Sequence, residues 1–260
     1  MMAMFEHSVL DGDWARRFVG TDAVFDVRVV ADHADELSDA EREAVARAVS
    51  RRRNTFSSGR ACARTALLGI GVSQAQYPDG LLKQEDGSVG WPVGTIGSIS
   101  HTDEWAIAVA ASDDQGIVSL GIDLEVIERL HSPVLKTIAT DEERIRLAQE
   151  NVQDWQSAAL FSIKESLYKC LRPHHGAFIG FRDVELLIPT EPLKGVSDVV
   201  DGLAMYQPSI RFLSDALIAQ FDERRLRARV TVFNGFVLSV VCYSDSEAIA
   251  GDSQGTFVTS

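Results

Sequence analysis

The sequence predicts a mixed α/β (α+β) protein of two similar halves, each a small, mostly antiparallel sheet packed with helices. Three observations carry that prediction. Apolar patterning runs strand, helices, strands, and then helices and strands again. Two capping boxes, Ser38 with Glu41 and Thr140 with Glu143, mark helix starts. Near the end, two alternating segments flank Asn234-Gly235, the strongest short hairpin signal. The expected division is an N-terminal half over 1–117, a C-terminal half over 118–245 and a flexible tail over 246–260. No residue-by-residue repeat accompanies the similarity of the halves.

Residues 22–30, DAVFDVRVV, read as a strand. Ser38 starts a helix near Asp39; its spacing runs through Ala44, Val45, Ala48 and Val49 and resumes from Phe56 to Leu68. Gly69 and Gly71 stop it, and Gly59 after two serines leaves room for a kink or for two helices. Residues 73–94 form a polar, Gly- and Pro-rich loop. TIGSIS, HTDE and WAIAVAA then read as two strands joined by a tight connection. In IVSLGIDLE (117–125), Val118, Leu120, Ile122 and Leu124 alternate onto one face, and Gly121, Asp123 and Glu125 take the other. Thr140 opens a helix to about Gln149. A further helix runs from about Asp154 to Arg172, where Pro173 halts it, leaving His174 and His175 in a loop. LRARVTVF and FVLSVVCY form the closing hairpin.

Of the 260 residues, 45% are hydrophobic and 24% charged, enough for a substantial core. The formal net charge of −13 argues against nonspecific nucleic-acid or membrane-surface binding, although a local basic pocket is compatible with it. Three scattered cysteines, Cys62, Cys170 and Cys242, give neither a disulfide framework nor a metal spacing. No apolar stretch approaches the ~20 residues of a membrane helix. The opening MMAMFEHSVLDGDW carries acids where a signal peptide is basic and then apolar. The expectation is a soluble cytoplasmic monomer without nucleic-acid or membrane partners.

Asp123 and Glu125 lie two apart on one strand face, roughly 6.6–6.8 Å between α-carbons. Carboxylates so placed can converge on one hard cation. Glu165 stands in FSIKESLYK between Lys164 and Lys169. Arg52, Phe56, Arg60 and Arg64 recur every four residues, with Arg51 and Arg53 beside them, and guanidinium forks suit phosphate. Ser100 and His101 end the GSIS strand, where hydroxyl, backbone amides and imidazole can hold a phosphate. Each pattern alone is also what an ordinary solvated face or structural histidine looks like.

Their order is the specific signal. RRRNTFSSGRACARTAL, WPVGTIGSISHT, GIDLE and FSIKESLYK together resemble the phosphopantetheinyl transferases over roughly residues 45–185, most nearly the surfactin-type and enterobactin-type branch of two fused, pseudo-twofold halves. The resemblance implies transfer of 4′-phosphopantetheine from coenzyme A to a serine of an apo acyl or peptidyl carrier protein, with release of 3′,5′-ADP. It implies magnesium, with manganese as an alternative, held by Asp123, Glu125 and Glu165. Lys164 and Lys169 would contact the phosphates and position the substrate. Arg52, Arg60 and His101, with Arg53 as a further partner, would hold the 3′-phosphate. Lys83, nine residues before Pro92, would reach the diphosphate. Glu165, directly or through water on the metal, would be the base. Leu124 and Ile163 replace commoner Ile and Ala without changing the chemistry. A magnesium-dependent hydrolase would use the same acids, and a non-catalytic scaffold the same fold. The complete set of acids with Lys164 favours the transferase. Which pathway's carrier it serves, fatty-acid, polyketide, nonribosomal-peptide or siderophore, is not written in these motifs.

Overall fold

The computed structural model describes residues 12–127, 132–149, 153–175, 179–193 and 203–246. The first element, α1 (Gly12–Val19), has no counterpart in the sequence reading; Trp14 and Phe18 on one of its faces stack with ring centroids 4.5 Å apart. There follow β1 (Ala23–Val29), α2 (Asp39–Val45), α3 (Ser50–Gly69), β2 (Thr95–His101) and β3 (Trp105–Ser112). The three strands form an antiparallel sheet in the order β1-β3-β2. The expected helix from Asp39 is two helices, but Gly59 is not where it breaks. The chain turns extended at Val49, and Gly59 stays inside α3, where a Cβ would come within 2.8 Å of Ile99 Cγ2 on β2. Its lack of a side chain serves close packing rather than a bend.

The second half comprises β4 (Ile117–Val126), α4 (Ser132–Ile138), α5 (Asp141–Leu147), α6 (Trp155–His175), β5 (Val184–Leu187), β6 (Met205–Tyr206), β7 (Ser209–Phe212), α7 (Asp215–Gln220), β8 (Leu226–Phe233) and β9 (Phe236–Ser244). Its antiparallel sheet runs β4-β9-β8-β6, with β5 and β7 as a separate ribbon. Asn234 (φ 45°) and Gly235 (φ 82°) supply the two positive φ angles of the β8–β9 turn, as expected of this dipeptide.

Strand alternation divides the apolar residues into three layers. Ile107 and Val109 of β3, Ile122 and Leu124 of β4, and Leu238 and Val240 of β9 meet with Trp14 and Phe18 in one core shared by both sheets. The opposite face of β3 offers Ala106, Ala108 and Ala110 to Cys62, Ala66 and Leu67 of α3. The opposite face of the second sheet, with Val237 and Val241, packs on Leu160, Ile163 and Leu167 of α6. The sheets also meet edge to edge. β2 and β4 lie alongside one another in separate sheets, and side chains join them: the amides of Ile122 and Leu124 donate to Ser98 Oγ (3.0 Å) and Ser100 Oγ (3.2 Å).

Three expectations need correction. Val118 does not join the Leu120–Leu124 face; the β4–β9 register shifts between Ile117 and Ser119, and this bulge turns Val118 toward the α6 side. Pro173 does not halt α6, which continues to His175. Only the last helical residues follow the proline, so a single ladder bond is lost there. His174 and His175 are therefore helical rather than in a loop. Residues 1–11 and, within the expected tail, 247–260 lie outside the described residues. The three cysteines are free and buried, as expected. No described helix is long and apolar enough to cross a membrane.

Candidate active site

α6 crosses β4 at Gly121, where a Cβ would lie 2.0 Å from Ser166 O. Small polar residues fill the crossing: Ser239 Oγ lies 2.7 Å from Ser162 Oγ and 2.8 Å from Ser166 Oγ. This close approach lays Glu165 and Lys169 beside Asp123. Asp123 is 4% exposed, and its Oδ1 accepts from Lys169 Nζ (2.7 Å) and Ser100 Oγ (2.9 Å). Lys169 Nζ also donates to Ile122 O at 2.9 Å. Asp123 Oδ2 is buried with no hydrogen-bond partner. The half-buried carboxyl of Glu165 is held above the ordinary carboxylate range, first by burial and then by the charge of Asp123, with Lys169 opposing both.

Glu125, two residues along β4, is half-buried. Among the described residues, no three His, Cys, Asp or Glu side chains are gathered closely enough to form a ready metal cluster. The donor set nevertheless suits a hard cation. A buried carboxylate oxygen lacks a partner, and the neighbouring carboxyl is disfavoured as an anion by that same charge. The expected phosphate role of Ser100 does not match its position: it is buried, donating to Asp123 and accepting from Leu124 and Lys169.

The arginine row on α3 divides. Arg52 and His101 are exposed, with Arg52 Nη1 3.4 Å from His101 Nε2. Burial of part of the ring, then the Arg52 and Lys169 cations, lowers the His101 pKa, with the Thr102 backbone and Asp123 opposing them. Arg60 is buried, donates from Nε to Leu81 O (2.6 Å), stacks on Phe56 (4.5 Å) and faces Glu41 at 3.8 Å. Burial lowers its pKa to about 10, so it stays cationic, but its guanidinium is committed inside the protein. Arg53 turns back to Ala48 O and Ser50 Oγ. Arg52 and His101 are thus the exposed members of this set that lie against one another.

Lys164 also departs from expectation. It is 4% exposed, and its Nζ donates within 2.7–3.0 Å to Glu143 Oε2 and to the carbonyls of Ile138, Phe181 and Val184. An ammonium has three hydrogens, and these four acceptors use them all. Burial lowers its pKa while Glu143 supports the charge. Lys164 anchors α6 rather than reaching a phosphate. Next to it, a cavity of about 220 Å³ is lined by Glu165, Leu167, Tyr168, Ile179, Phe181 and Val184. Exposed Lys83 pairs with Val89 in a short turn of the first half.

Residues 40–111 match the family model of the 4′-phosphopantetheinyl transferase N-terminal domain, and residues 119–204 that of the 4′-phosphopantetheinyl transferase superfamily. The chain is 31% identical to the 4′-phosphopantetheinyl transferase PptT of Mycobacterium tuberculosis, over 76% of this chain and 82% of that protein. The chain belongs to the 4′-phosphopantetheinyl transferases. The transferase Npt of Nocardia iowensis is 29% identical over 79% of this chain and 88% of its own length. Svp of Streptomyces mobaraensis, another 4′-phosphopantetheinyl transferase, is 36% identical over 55% of this chain and 58% of its own. A solved holo-[acyl-carrier-protein] synthase of Thermotoga maritima matches half of this chain at a TM-score of 0.35 and 19% identity, too slight a likeness to build on.

Within this transferase, the anchors under the site escaped the sequence reading. Glu41, beyond capping α2, is fully buried; it accepts from the Leu81 amide (2.8 Å) and pairs with Arg64 of α3. Glu143 does the same in the second half, capping α5, accepting from the Leu186 amide (2.7 Å) and pairing with Lys164 of α6 at 2.7 Å. The signal was present in both halves: a capping-box glutamate followed some twenty residues later by a cation on the long helix.

Proposed function

We propose that this transferase moves 4′-phosphopantetheine from coenzyme A to a serine hydroxyl of an apo acyl or peptidyl carrier protein at the Asp123–Glu165–Lys169 cluster. The observation that carries the assignment is the buried, partnerless Asp123 Oδ2 beside Glu165, at the point where α6 crosses β4. Two halves, 1–117 and 118–245, meet there, a division supported by family models that fall on either side of it. It accords with the two-half, surfactin-type branch.

Asp123, Glu165 and Glu125 would hold a magnesium or manganese ion. When bound, the ion supplies positive charge against the diphosphate and the developing charge of the leaving group. The exposed Arg52–His101 pair would take the 3′-phosphate, with Arg60 supporting Phe56 from within. Lys169, held beside Asp123, and the exposed Lys83 would orient the diphosphate. The apolar cavity beside Glu165 suits the long uncharged pantetheine arm, whose burial there excludes water from the reacting phosphorus.

The carrier's serine oxygen attacks that phosphorus, a new O–P bond forms, and the bond to 3′,5′-ADP breaks. Glu165, beside the buried Asp123, would receive the hydroxyl proton. The test is single-turnover transfer from coenzyme A to a saturating apo carrier with magnesium. Glu165→Gln should bind coenzyme A yet turn over at least ~100-fold more slowly, the scale of a lost general base. Near wild-type transfer by this variant would remove Glu165 from the chemistry.

A further inference from the structure

We propose that Arg172 is a positioning residue that clasps the 83–89 loop of the first half onto α6 of the second, and so sets the affinity for coenzyme A. The effect on coenzyme A rests on the function proposed above; the clasp itself does not. Arg172 lies seven residues after Glu165 and three after Lys169, on the same side of α6. Its Nε donates to Asp86 O at 2.9 Å, and its guanidinium carbon stands 5.9 Å from the centroid of Tyr168, a wall of the apolar cavity. One side chain therefore touches the loop, the cavity wall and the helix that carries Glu165.

The loop it grips is already shaped. Asp86 Oδ1 accepts from the Ser88 amide (2.9 Å) and hydroxyl (2.7 Å), and the Gln84 amide donates to Ser88 O at 2.8 Å. Gly87 takes a positive φ of 94°, and a Cβ there would sit 3.9 Å from Lys83 Nζ, so the lysine lies back across its own turn. The turn thus moves as a unit: where Asp86 O is held, Lys83 is held too. Among the described residues, the Arg172 bond is the one hydrogen bond that ties residues 83–89 to the second half. The guanidinium makes a charge-assisted bond to a carbonyl.

Two measurements test this on the full chain. The first is hydrogen exchange of the unliganded protein. Arg172→Ala should speed exchange of the 84–90 amides while leaving those of α6 and β4 unchanged; unaltered loop protection would overturn the clasp. The second is calorimetric titration of coenzyme A into wild type, Arg172→Ala, Lys83→Ala and the double variant. Arg172→Ala should weaken binding roughly tenfold, the scale of a charge-assisted hydrogen bond. Adding Lys83→Ala to it should cost less than about twofold more, since coupled residues do not add. Fully multiplicative losses, or a Lys83→Ala protein that binds like wild type, would overturn the action through the loop. A wild-type protein that binds coenzyme A but transfers nothing to any apo carrier would sink the proposed function while leaving the exchange result standing.

Discussion

His101 and Lys164 show how neighbours set the use of a charge. His101 has its pKa lowered by partial burial, Arg52 and Lys169, so at neutral pH the ring is uncharged before a ligand arrives. A phosphate dianion beside it favours the imidazolium, so the bound pKa is higher than the free one and a proton is taken up on binding between the two values. Affinity for coenzyme A should therefore rise as pH falls from about 8 to about 6, in the range where histidine titrates. Dephospho-coenzyme A should lack that slope, and His101→Ala should abolish the difference. Parallel slopes for both ligands would place the 3′-phosphate elsewhere. Lys164, by contrast, spends its charge on Glu143 and three carbonyls. The acids were legible because strand alternation alone puts Asp123 and Gly121 on one face. The commitments of Lys164, Arg60 and Ser100 were not, because their partners come from elements distant in sequence, and helical spacing says nothing of what lies opposite.

Among the elements, α6 decides the geometry, and Gly121 decides α6. A methyl group at 121 would stand 2.0 Å from Ser166 O and 2.7 Å from Cys170 N, backbone atoms that cannot swing aside. Gly121→Ala should force α6 outward, cost about 1–3 kcal/mol as an overpacked core does, and separate Glu165 and Lys169 from Asp123. Thermal melting and single-turnover transfer together check this: activity should fall further than the remaining folded fraction explains. A variant with normal melting and normal transfer would mean that α6 does not need the glycine. The motif glycine could be read in the sequence as part of a strand face; its contact with a helix some forty residues away could not. The capping boxes and the Asn234-Gly235 turn were legible because their causes are local. Pro173 misled because a proline near a helix end removes only one bond.

For the molecule as a whole, the core shared by β3, β4 and β9 matters most, since neither half completes it alone. The four tryptophans are spread over the three cores: Trp14 and Trp105 at the shared one, Trp91 beneath α3 and Trp155 beneath α6. Within each variant retaining one tryptophan, fluorescence and far-ultraviolet circular dichroism should give the same urea midpoint, as cooperative unfolding requires. A Trp155 fluorescence midpoint apart from the dichroism midpoint of the same protein would mean that the halves unfold independently. The small antiparallel sheets packed with helices were legible as an order of elements, with no repeat to accompany it. What recurs is a buried contact, Glu41 with Arg64 and Glu143 with Lys164, whose trace in the sequence is only a capping-box glutamate some twenty residues before a cation.

The seam of Ser98 and Ser100 also bears on the chain during its synthesis. A sheet edge with unserved amides is a template for a foreign strand, and here the outer amides of Ile122 and Leu124 are occupied by two hydroxyls of the neighbouring sheet. The strand that covers the open margin of the first sheet begins sixteen residues after it, from His101 to Ile117, but its own partner, β9, follows only at Phe236. A nascent chain thus exposes this margin until the second sheet is made. Either half released alone by cleavage near residue 117 would keep its margin bare and be drawn to self-association.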